Sequence, residues 1–422
     1  MIVYKSTKKE FVSDVLQNQI ADKINTSFIR EMGHKTSKSE YDSWHYSMMF
    51  MNNIVNDEAI PEDANIAIEF KIPATSKRID FIITGLNEER NNVAVLVELK
   101  QWSTATLSNM DGVVETFVGG SVGPHEHPSY QVWSYAALLQ DFNSNVQENN
   151  IDLKPCAYLH NYEPDNVIKN EFYKEYLDLA PSFLKTESAD LKDFIKRYVK
   201  YGDKNNVMYL IDNGKIRPSK QLSDSLASML EGNKEFTLID DQKIVYETAL
   251  KQTKEATDEI RNVLVVEGGP GTGKSVVAIN LLVELTNRGL VAQYVSKNSA
   301  PRKVFEAMLT GKMTKSRISN MFNSSGSYIN ANSAEIDALI VDEAHRLNEK
   351  SGIYGNLGEN QIKELIKATK CTIFFIDEDQ RVTLGDIGTK AEIEYWATQL
   401  KANITHLSLS SQFRCNGSDG YL

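Results

Sequence analysis

A glycine-rich loop between an apolar strand and a helix limits most strongly what this chain can fold into. Residues 268–275, GGPGTGKS, fit the pattern G-x-x-x-x-G-K-[ST]. The apolar run 263–267 precedes this loop, and a helical pattern follows it. Glycines let backbone N–H groups curl around phosphate oxygens, and the helix N-terminus adds positive potential. We therefore predict a nucleotide site formed by Gly268, Gly269, Pro270, Gly271, Thr272, Gly273, Lys274 and Ser275. Lys274 would reach the β- and γ-phosphates, and Ser275 would bind Mg²⁺.

The segments around this loop predict a parallel sheet. From about residue 236, near-continuous apolar runs alternate with helical patterns, and these runs are 263–267, 291–295, 338–342 and 372–377. This alternation is typical of a sheet covered by helices on both faces. Ligands of such sheets lie beyond the carboxyl ends of the strands. Asp342, which would hold the Mg²⁺ shell, and Glu343, which would activate the attacking water, end one strand. Asp377 and Gln380 follow another.

The order of these motifs resembles a superfamily 1 helicase. The run 236–242 is similar to the adenine-reading glutamine motif, with Gln242 in that role, and 296–305 is similar to the motif that touches single-stranded nucleic acid. DEAH at 342–345 matches the Walker B box. Residues 377–380 resemble motif III, in which Gln380 would sense the γ-phosphate, and 411–414 resemble motif IV, in which Arg414 would reach the phosphates.

VDEAHRLNE together with SQFRCNGSDGYL looks like the Schlafen-group DNA/RNA helicase domain of bacteria. The resemblance covers about residues 236–422 and implies a RecA-like ATPase domain. The family continues into a second RecA-like domain, whereas this chain stops at Leu422. We therefore expect a truncated chain or a fragment that binds ATP but does not unwind a duplex.

A second group of polar residues lies in the N-terminal part. The strand-like runs 78–84 and 93–99 are joined by a polar connection and predict a hairpin. Because strand side chains alternate, Glu98 and Lys100 share one face, and hairpin pairing places Asp80 beside Glu98. Two carboxylates that meet need a cation, and Mg²⁺ or Mn²⁺ prefers oxygen ligands. Lys100 would orient the attacking water or offset charge in the transition state.

This Asp…Glu-x-Lys arrangement resembles the PD-(D/E)xK nuclease core, over roughly residues 35–160. Glu40, at the start of a predicted helix, matches the position of that family's helical acid and is predicted as a further metal ligand. Gln131 and Tyr135 lie at i and i+4 of another predicted helix and match the Q-x-x-x-Y pattern of RecB-type nucleases. In that subgroup the pattern supports the active site or contacts DNA.

The predicted organisation is α/β throughout: a restriction-endonuclease-like domain at 1–160, a mostly helical connector at 161–235 with a short strand at 207–212, and a RecA-like P-loop domain at 236–422. The resemblances imply a nuclease–helicase fusion that uses ATP and Mg²⁺ or Mn²⁺. They also imply that single-stranded nucleic acid passes through the motor, and that the protein serves DNA processing or phage defence. The sequence favours neither DNA nor RNA. Two alternatives stay open: a catalytically silent nuclease domain that only grips nucleic acid, and a P-loop switch that does not act on nucleic acid.

Composition excludes some classes of protein. The net charge of −11 argues against a passive nucleic-acid coating protein. Three widely spaced cysteines exclude a disulfide scaffold or a cysteine-rich zinc module. The same cysteines suit a reducing cytosol, so we expect a cytoplasmic protein. The apolar runs are far shorter than the roughly 20 residues that span a bilayer, so we expect no membrane partner.

Overall fold

The computed structural model describes residues 2–32, 35–72, 75, 77–215, 222–233, 235–310, 318, 320–351, 356–381, 383 and 385–410. The chain divides into two compact units, residues 1–219 and 220–422. Each unit is a mixed α/β structure built around its own sheet. No helix in the described ranges is long and apolar enough to span a membrane.

The N-terminal unit contains the strands β1 (Ile2–Thr7), β2 (Asn65–Lys71), β3 (Arg78–Leu86), β4 (Asn92–Lys100), β5 (Ala105–Leu107), β6 (Val113–Val118), β7 (Ser121–Glu126), β8 (Asp152–Leu159) and β9 (Ser182–Leu184). Its helices are α1 (Lys8–Leu16), α2 (Ile20–Met32), α3 (Lys38–Val55), α4 (Pro128–Phe142), α5 (Ser144–Glu148), α6 (Lys174–Leu179), α7 (Ser188–Tyr198) and α8 (Val207–Asp212).

The main sheet of this unit has the order β1-β2-β3-β4-β8-β9. The first four strands are antiparallel, and β8 and β9 add in parallel to β4. The apolar side chains alternate along β4: Val93, Val95 and Val97 face the core under α3, while Ala94 and Leu96 face the core under α4. The predicted hairpin of β3 and β4 is present. Its open end, where β3 begins and β4 ends, carries the polar residues described below.

The C-terminal unit contains β10 (Asn262–Gly268), β11 (Ala292–Ser296), β12 (Phe322–Asn323), β13 (Ile336–Asp342), β14 (Thr369–Ile376) and β15 (Asn403–Leu409). Its helices are α9 (Leu222–Leu230), α10 (Asp241–Glu255), α11 (Lys274–Asn287), α12 (Ser299–Leu309), α13 (Gln361–Ala368) and α14 (Lys390–Gln399). All paired strands are parallel, in the order β12-β11-β13-β14-β10-β15. The predicted parallel sheet, with apolar layers on both faces, is therefore present.

The segment predicted as a mostly helical connector belongs largely to the N-terminal unit, and one of its predicted elements is wrong. Residues 161–219 group with the N-terminal unit, because β9 extends its sheet and α7 packs against α3. The strand predicted at 207–212 is wrong, since these residues form α8. The Asp203 carboxylate accepts hydrogen bonds from the backbone N–H groups of Val207 (2.6 Å) and Met208 (3.1 Å), and these bonds satisfy the start of a helix.

Candidate functional site

The glycine-rich loop lies between β10 and α11, at the carboxyl edge of the parallel sheet. Gly271 and Gly273 have φ angles of 81° and 85°, a conformation that costs glycine little and other residues more. Gly273 directly precedes α11, so the unbonded N–H groups of that helix start at the loop. The backbone therefore provides the anion-binding geometry that phosphates require.

Lys274 folds back over its own loop. Its ammonium donates to the carbonyl oxygens of Gly268 and of Gly269 (2.8 Å), and it lies 3.4 Å from Asp377 Oδ2. Burial lowers the pKa of Lys274, and the negative charge of Asp377 partly offsets this effect. The ammonium therefore lies against the loop that is predicted to bind phosphates.

The two predicted Mg²⁺ ligands of this unit are in contact. Ser275 Oγ donates to Asp342 Oδ2 at 2.8 Å. The hydroxyl of Tyr294, on β11, donates to the same oxygen at 2.7 Å. Burial raises the pKa of Tyr294, and the charge of Asp342 adds to the rise. Tyr294 was missed by the sequence analysis because a tyrosine in an apolar strand is read as core.

Glu343 follows Asp342 in a left-handed backbone conformation with φ of 52°. Burial raises the pKa of Glu343, with the Asp342 charge as the second cause. Among the described residues, no hydrogen-bond partner reaches Glu343 Oε2. Nearby, the Asp377 backbone N–H donates to His345 Nδ1 at 3.2 Å, and burial lowers the pKa of that histidine. The ends of β13 and β14 thus meet at this edge.

The remaining predicted nucleotide residues differ in their surroundings. Gln242 is buried at the start of α10, and its Nε2 donates to the carbonyl oxygen of Thr272 at 3.0 Å. The predicted adenine reader is therefore bonded to the phosphate loop. Gln380 is exposed in a 3₁₀ turn after β14. Arg414 and the rest of the 411–414 pattern lie outside the described residues.

In the N-terminal unit, β3 and β4 bring three predicted residues to one end of their hairpin. The hairpin ladder ends with the pair Phe81 and Val97, and the same register continued by one residue would place Asp80 opposite Glu98. Asp80 Oδ2 accepts the backbone N–H of Leu99 at 2.7 Å. Lys100 Nζ donates to Glu98 Oε1 at 2.8 Å and lies 5.3 Å from the ring centroid of Trp102. Leu99 packs toward the opposite core.

The carboxyl of Asp80 is shielded from solvent and lies near other charged side chains. Burial, and then the negative charge of Glu69, raise the pKa of Asp80 to about 7. The positive charge of Lys100 and the bond from Leu99 act in the opposite direction. A carboxyl with this pKa favours a nearby cation, because the cation stabilises its ionised form.

A further carboxylate, Glu69, was missed by the sequence analysis. Glu69 is buried, and its carboxylate accepts from Trp44 Nε1 at 2.7 Å and from Arg78 Nε at 2.9 Å. Burial raises the pKa of Glu69, and Arg78 offsets part of this rise. The signal in the sequence was a single acid within the apolar run IAIEFKI.

The backbone at Glu69 is unusual for a strand, since its φ is 55°. Its neighbours Ile68 and Phe70 belong to the two different cores, although a regular strand would turn both to one face. Left-handed backbone at a residue other than glycine is costly and concentrates at functional sites.

Arg78 also binds the predicted metal ligand Glu40, with Nη2 3.0 Å from Glu40 Oε1. Glu40 lies in the first turn of α3, whose N-terminus is capped by Ser37. One guanidinium therefore bridges Glu40 on the helix and Glu69 on the strand. Sequence reasoning missed Arg78 as well.

The other predicted pair lies on α4, which packs on β4 and β8. Gln131 Nε2 donates to the Tyr135 hydroxyl at 2.9 Å. Tyr135 is buried in the core with Leu96, and Gln131 is half-buried. The i, i+4 spacing thus yields a direct hydrogen bond.

The described residues contain no cluster of three or more His, Cys, Asp or Glu side chains in metal-binding geometry. Asp80 and Glu98 nevertheless supply carboxylate oxygens, which is the donor chemistry that Mg²⁺ prefers. Ser275 and Asp342 supply the hydroxyl and carboxylate oxygens typical of a P-loop site. Both donor sets therefore fit a hard divalent cation.

The fold and loop geometry of the C-terminal unit define a P-loop NTPase-type domain. Residues 261–422 match the family model described as Schlafen group 3, DNA/RNA helicase domain. This match covers less than half of the chain and supports a helicase domain within the C-terminal unit.

No curated protein matches the chain. A solved structure, described as the crystal structure of a DNA replication initiation factor, matches with 17% identity and a TM-score of 0.23. The match covers 42% of this chain and 48% of that one, so it spans less than half of that protein's length. We draw neither fold nor function from a similarity of this size.

Proposed function

We propose that the C-terminal unit is the first ATPase domain of a superfamily 1 helicase-type motor acting on DNA or RNA, and that the N-terminal unit is a nuclease. The single observation that carries the motor is the contact set at one sheet edge. There Lys274 lies on its loop carbonyls and near Asp377, and Ser275 is bonded to Asp342. The family match over 261–422 supports the same assignment.

In this proposal the loop N–H groups and Lys274 bind the β- and γ-phosphates of ATP. Ser275 and Asp342 would hold Mg²⁺, which supplies charge neutralisation of the phosphates when bound. Glu343, whose pKa is raised and whose Oε2 faces no hydrogen-bond partner among the described residues, orients the attacking water. Gln242 fixes the loop through Thr272 and reads the base.

A nucleotide-binding experiment tests the motor. A fluorescent, non-hydrolysable ATP analogue should bind the parent protein, and Lys274→Ala should weaken binding by about 100-fold, because charge-assisted bonds to phosphate are lost. The control is Lys254→Ala, an exposed lysine at the end of α10. Equal affinity of the Lys274 variant and the parent protein would refute the assignment.

The nuclease proposal is supported by the hairpin register, which continues from the pair Phe81–Val97 toward Asp80 and Glu98, and by the bond from Lys100 to Glu98. Asp80 and Glu98 would hold Mg²⁺ or Mn²⁺, which supplies Lewis-acid polarisation of a phosphodiester when bound. Lys100 would orient water or neutralise developing charge at the phosphate. Gln131 and Tyr135 would support this site from α4, and Glu40 would join it when released from Arg78.

A cleavage assay tests the nuclease. End-labelled single-stranded DNA and RNA are incubated with the protein and Mg²⁺ or EDTA. Lys100→Ala and Asp80→Asn should each lower the Mg²⁺-dependent rate by about 100-fold, the usual effect of removing one group that stabilises transition-state charge. The matched control is Asp152→Asn, at the other end of the sheet, where Asp152 pairs with Lys154. If both site variants cut as fast as the parent protein, the nuclease assignment is wrong.

A further inference from the structure

A buried carboxylate of the C-terminal unit belongs to none of the motifs described above. The Asp386 side chain has no exposed surface. It lies between the 3₁₀ turn of motif III and α14. Thr383 donates to it twice, from its backbone N–H at 3.0 Å and from its hydroxyl at 2.9 Å. Because a buried charge is costly without close partners, the surroundings of Asp386 must hold it firmly.

Two cations from different segments converge on Asp386. Lys297 Nζ lies 3.3 Å from Oδ1, and Arg346 Nε lies 3.5 Å from Oδ2. Lys297 directly follows β11, at the start of the segment that resembles a nucleic-acid-contacting motif. Arg346 ends the short 3₁₀ turn that follows Asp342 and Glu343. Asp386 thus joins the predicted nucleic-acid segment to the end of the Walker B strand.

Backbone contacts tie the same segments together. Asn348 and Asp386 form an antiparallel bridge, and the Ile387 N–H donates to the Leu347 carbonyl at 2.8 Å. Gly388 approaches Ala344 so closely that an added Cβ would lie 1.8 Å from the Ala344 carbonyl oxygen. A displacement at residues 386–388 must therefore move the backbone that follows Glu343.

We propose that Asp386 is a positioning residue that couples nucleic-acid binding at Lys297 to the nucleotide site at Asp342 and Glu343. The inference rests on the proposed motor function. Lys297 is 31% exposed, so its ammonium can also face a phosphate of a bound strand. Such a phosphate competes for Lys297 with Asp386 and with Asn348, whose Oδ1 accepts from Lys297 Nζ at 2.8 Å, and leaves Arg346 as the stronger partner of the carboxylate. Through the backbone contacts at 344–348, this change of ion-pair partner shifts Asp342 and Glu343, the residues proposed to bind Mg²⁺ and to orient the attacking water.

Thermodynamic linkage makes the coupling measurable. If a bound nucleic-acid strand alters the nucleotide site, the affinity for the nucleotide must differ between the free protein and the nucleic-acid complex. The nucleotide must then change the affinity for the nucleic acid by the same factor. We expect the parent protein to bind the fluorescent ATP analogue with an affinity that saturating single-stranded DNA or RNA changes about tenfold. Asp386→Asn should keep the affinity for the analogue alone and should lose the change caused by the strand.

Two further variants make the test decisive. Lys297→Met should lose the change as well, and the double variant should lose no more than either single one, because both remove the same interaction. The control is Asp337→Asn. Asp337 pairs with Lys370 at 3.0 Å and accepts the Val291 N–H at 2.9 Å, at the amino end of β13. This variant should keep the parent response.

The possible failures are distinguishable. An Asp386→Asn protein that retains the full response overturns the coupling and leaves the motor assignment intact. A parent protein that binds the analogue with the same affinity whether or not a strand is present also overturns the coupling. A parent protein that binds no nucleotide refutes the proposed function itself. If Asp386→Asn does not fold, the response of Lys297→Met decides.

Discussion

The charged side chains of the two candidate sites differ in the partners that surround them. In the N-terminal unit the carboxylates are paired with cations of the protein: Arg78 binds Glu40 and Glu69, and Lys100 binds Glu98. In the C-terminal unit the partners are mostly neutral. Lys274 lies on loop carbonyls, and Asp342 accepts from the hydroxyls of Ser275 and Tyr294.

This difference indicates how each site would respond to its ligand. Neutral partners are exchanged at small electrostatic cost, so phosphates can take the place of the loop carbonyls at Lys274. Buried ion pairs are different, because removal of one member leaves the other charged, poorly solvated and unpaired. We therefore expect charge removal to affect folding in the N-terminal unit and ligand binding in the C-terminal unit.

The largest expected effect is that of Arg78→Ala on folding. It leaves Glu69 and Glu40 without their shared cation and should lower the free energy of unfolding by about 3 kcal/mol. Denaturant unfolding followed by tryptophan fluorescence measures this, since three of the four tryptophans, Trp44, Trp102 and Trp133, lie in the N-terminal unit. Lys274→Ala in the other unit should cost little stability. The control Arg30→Ala removes a mostly exposed pair with Glu31. An Arg78 variant as stable as this control would contradict the expectation that charge removal in the N-terminal unit affects folding.

The pH dependence of stability should follow Asp80. Its pKa is about 7 in the folded protein, against roughly 3.9 in an unfolded chain. Between these values the folded state holds a proton that the unfolded state has lost, so the Asp80 contribution to stability falls as pH rises from about 4 through about 7. Asp80→Asn should therefore gain stability relative to the parent protein between pH 5 and pH 8, measured by unfolding in EDTA. Asp152→Asn should show no such trend. A gap between Asp80→Asn and the parent that stays constant with pH would contradict the burial of this carboxyl.

In the C-terminal unit, Tyr294→Phe removes one neutral donor from Asp342. A bond to a charged acceptor is worth about 1.5 kcal/mol, so binding of the ATP analogue with Mg²⁺ should weaken about tenfold. Binding in EDTA should not change, because the Tyr294 hydroxyl bonds to Asp342, the predicted Mg²⁺ ligand, and to no other predicted nucleotide residue in the described ranges. The control is Tyr328→Phe, whose buried hydroxyl donates to Gln293. An equal loss with and without Mg²⁺ would contradict the role of Tyr294.

The smallest effect is expected for Gln242→Ala. It removes the bond to Thr272 and the predicted base contact, so the affinity for an ATP analogue should fall about threefold, in keeping with one neutral hydrogen bond. The affinity for a GTP analogue should fall less, because only the loop contact to Thr272 is lost for that nucleotide. Gln252→Ala on the same helix serves as the control, since that side chain bonds to Thr405 instead. Equal losses for both nucleotides would remove the base-reading role and leave only a loop-fixing one.

The short-range features of both units could be predicted from the sequence. The strands of the β3–β4 hairpin and the strands β10, β11, β13 and β14 have the expected positions, because their apolar patterns reflect burial along each strand. The sequence did not predict β12 and β15. The pairing of Phe81 with Val97 has the register that the hairpin predicted, and it supports the prediction that Asp80 lies opposite Glu98. Segment 207–212 was predicted wrongly because its apolar pattern fits a strand and a helix equally. The hydrogen bond from the Val207 N–H to Asp203 favours the helix.

What the sequence by itself determined is therefore the phosphate loop, the class of each sheet and the acids at the strand ends, since each depends on neighbours in the chain or on one hairpin. Only the tertiary structure decided which distant groups complete these sites. Trp44 and Arg78 reach Glu69, Tyr294 reaches Asp342, and Lys297 and Arg346 meet Asp386. Such contacts join segments far apart in the chain, and no local pattern of hydrophobicity or turn residues records which buried polar groups will need each other.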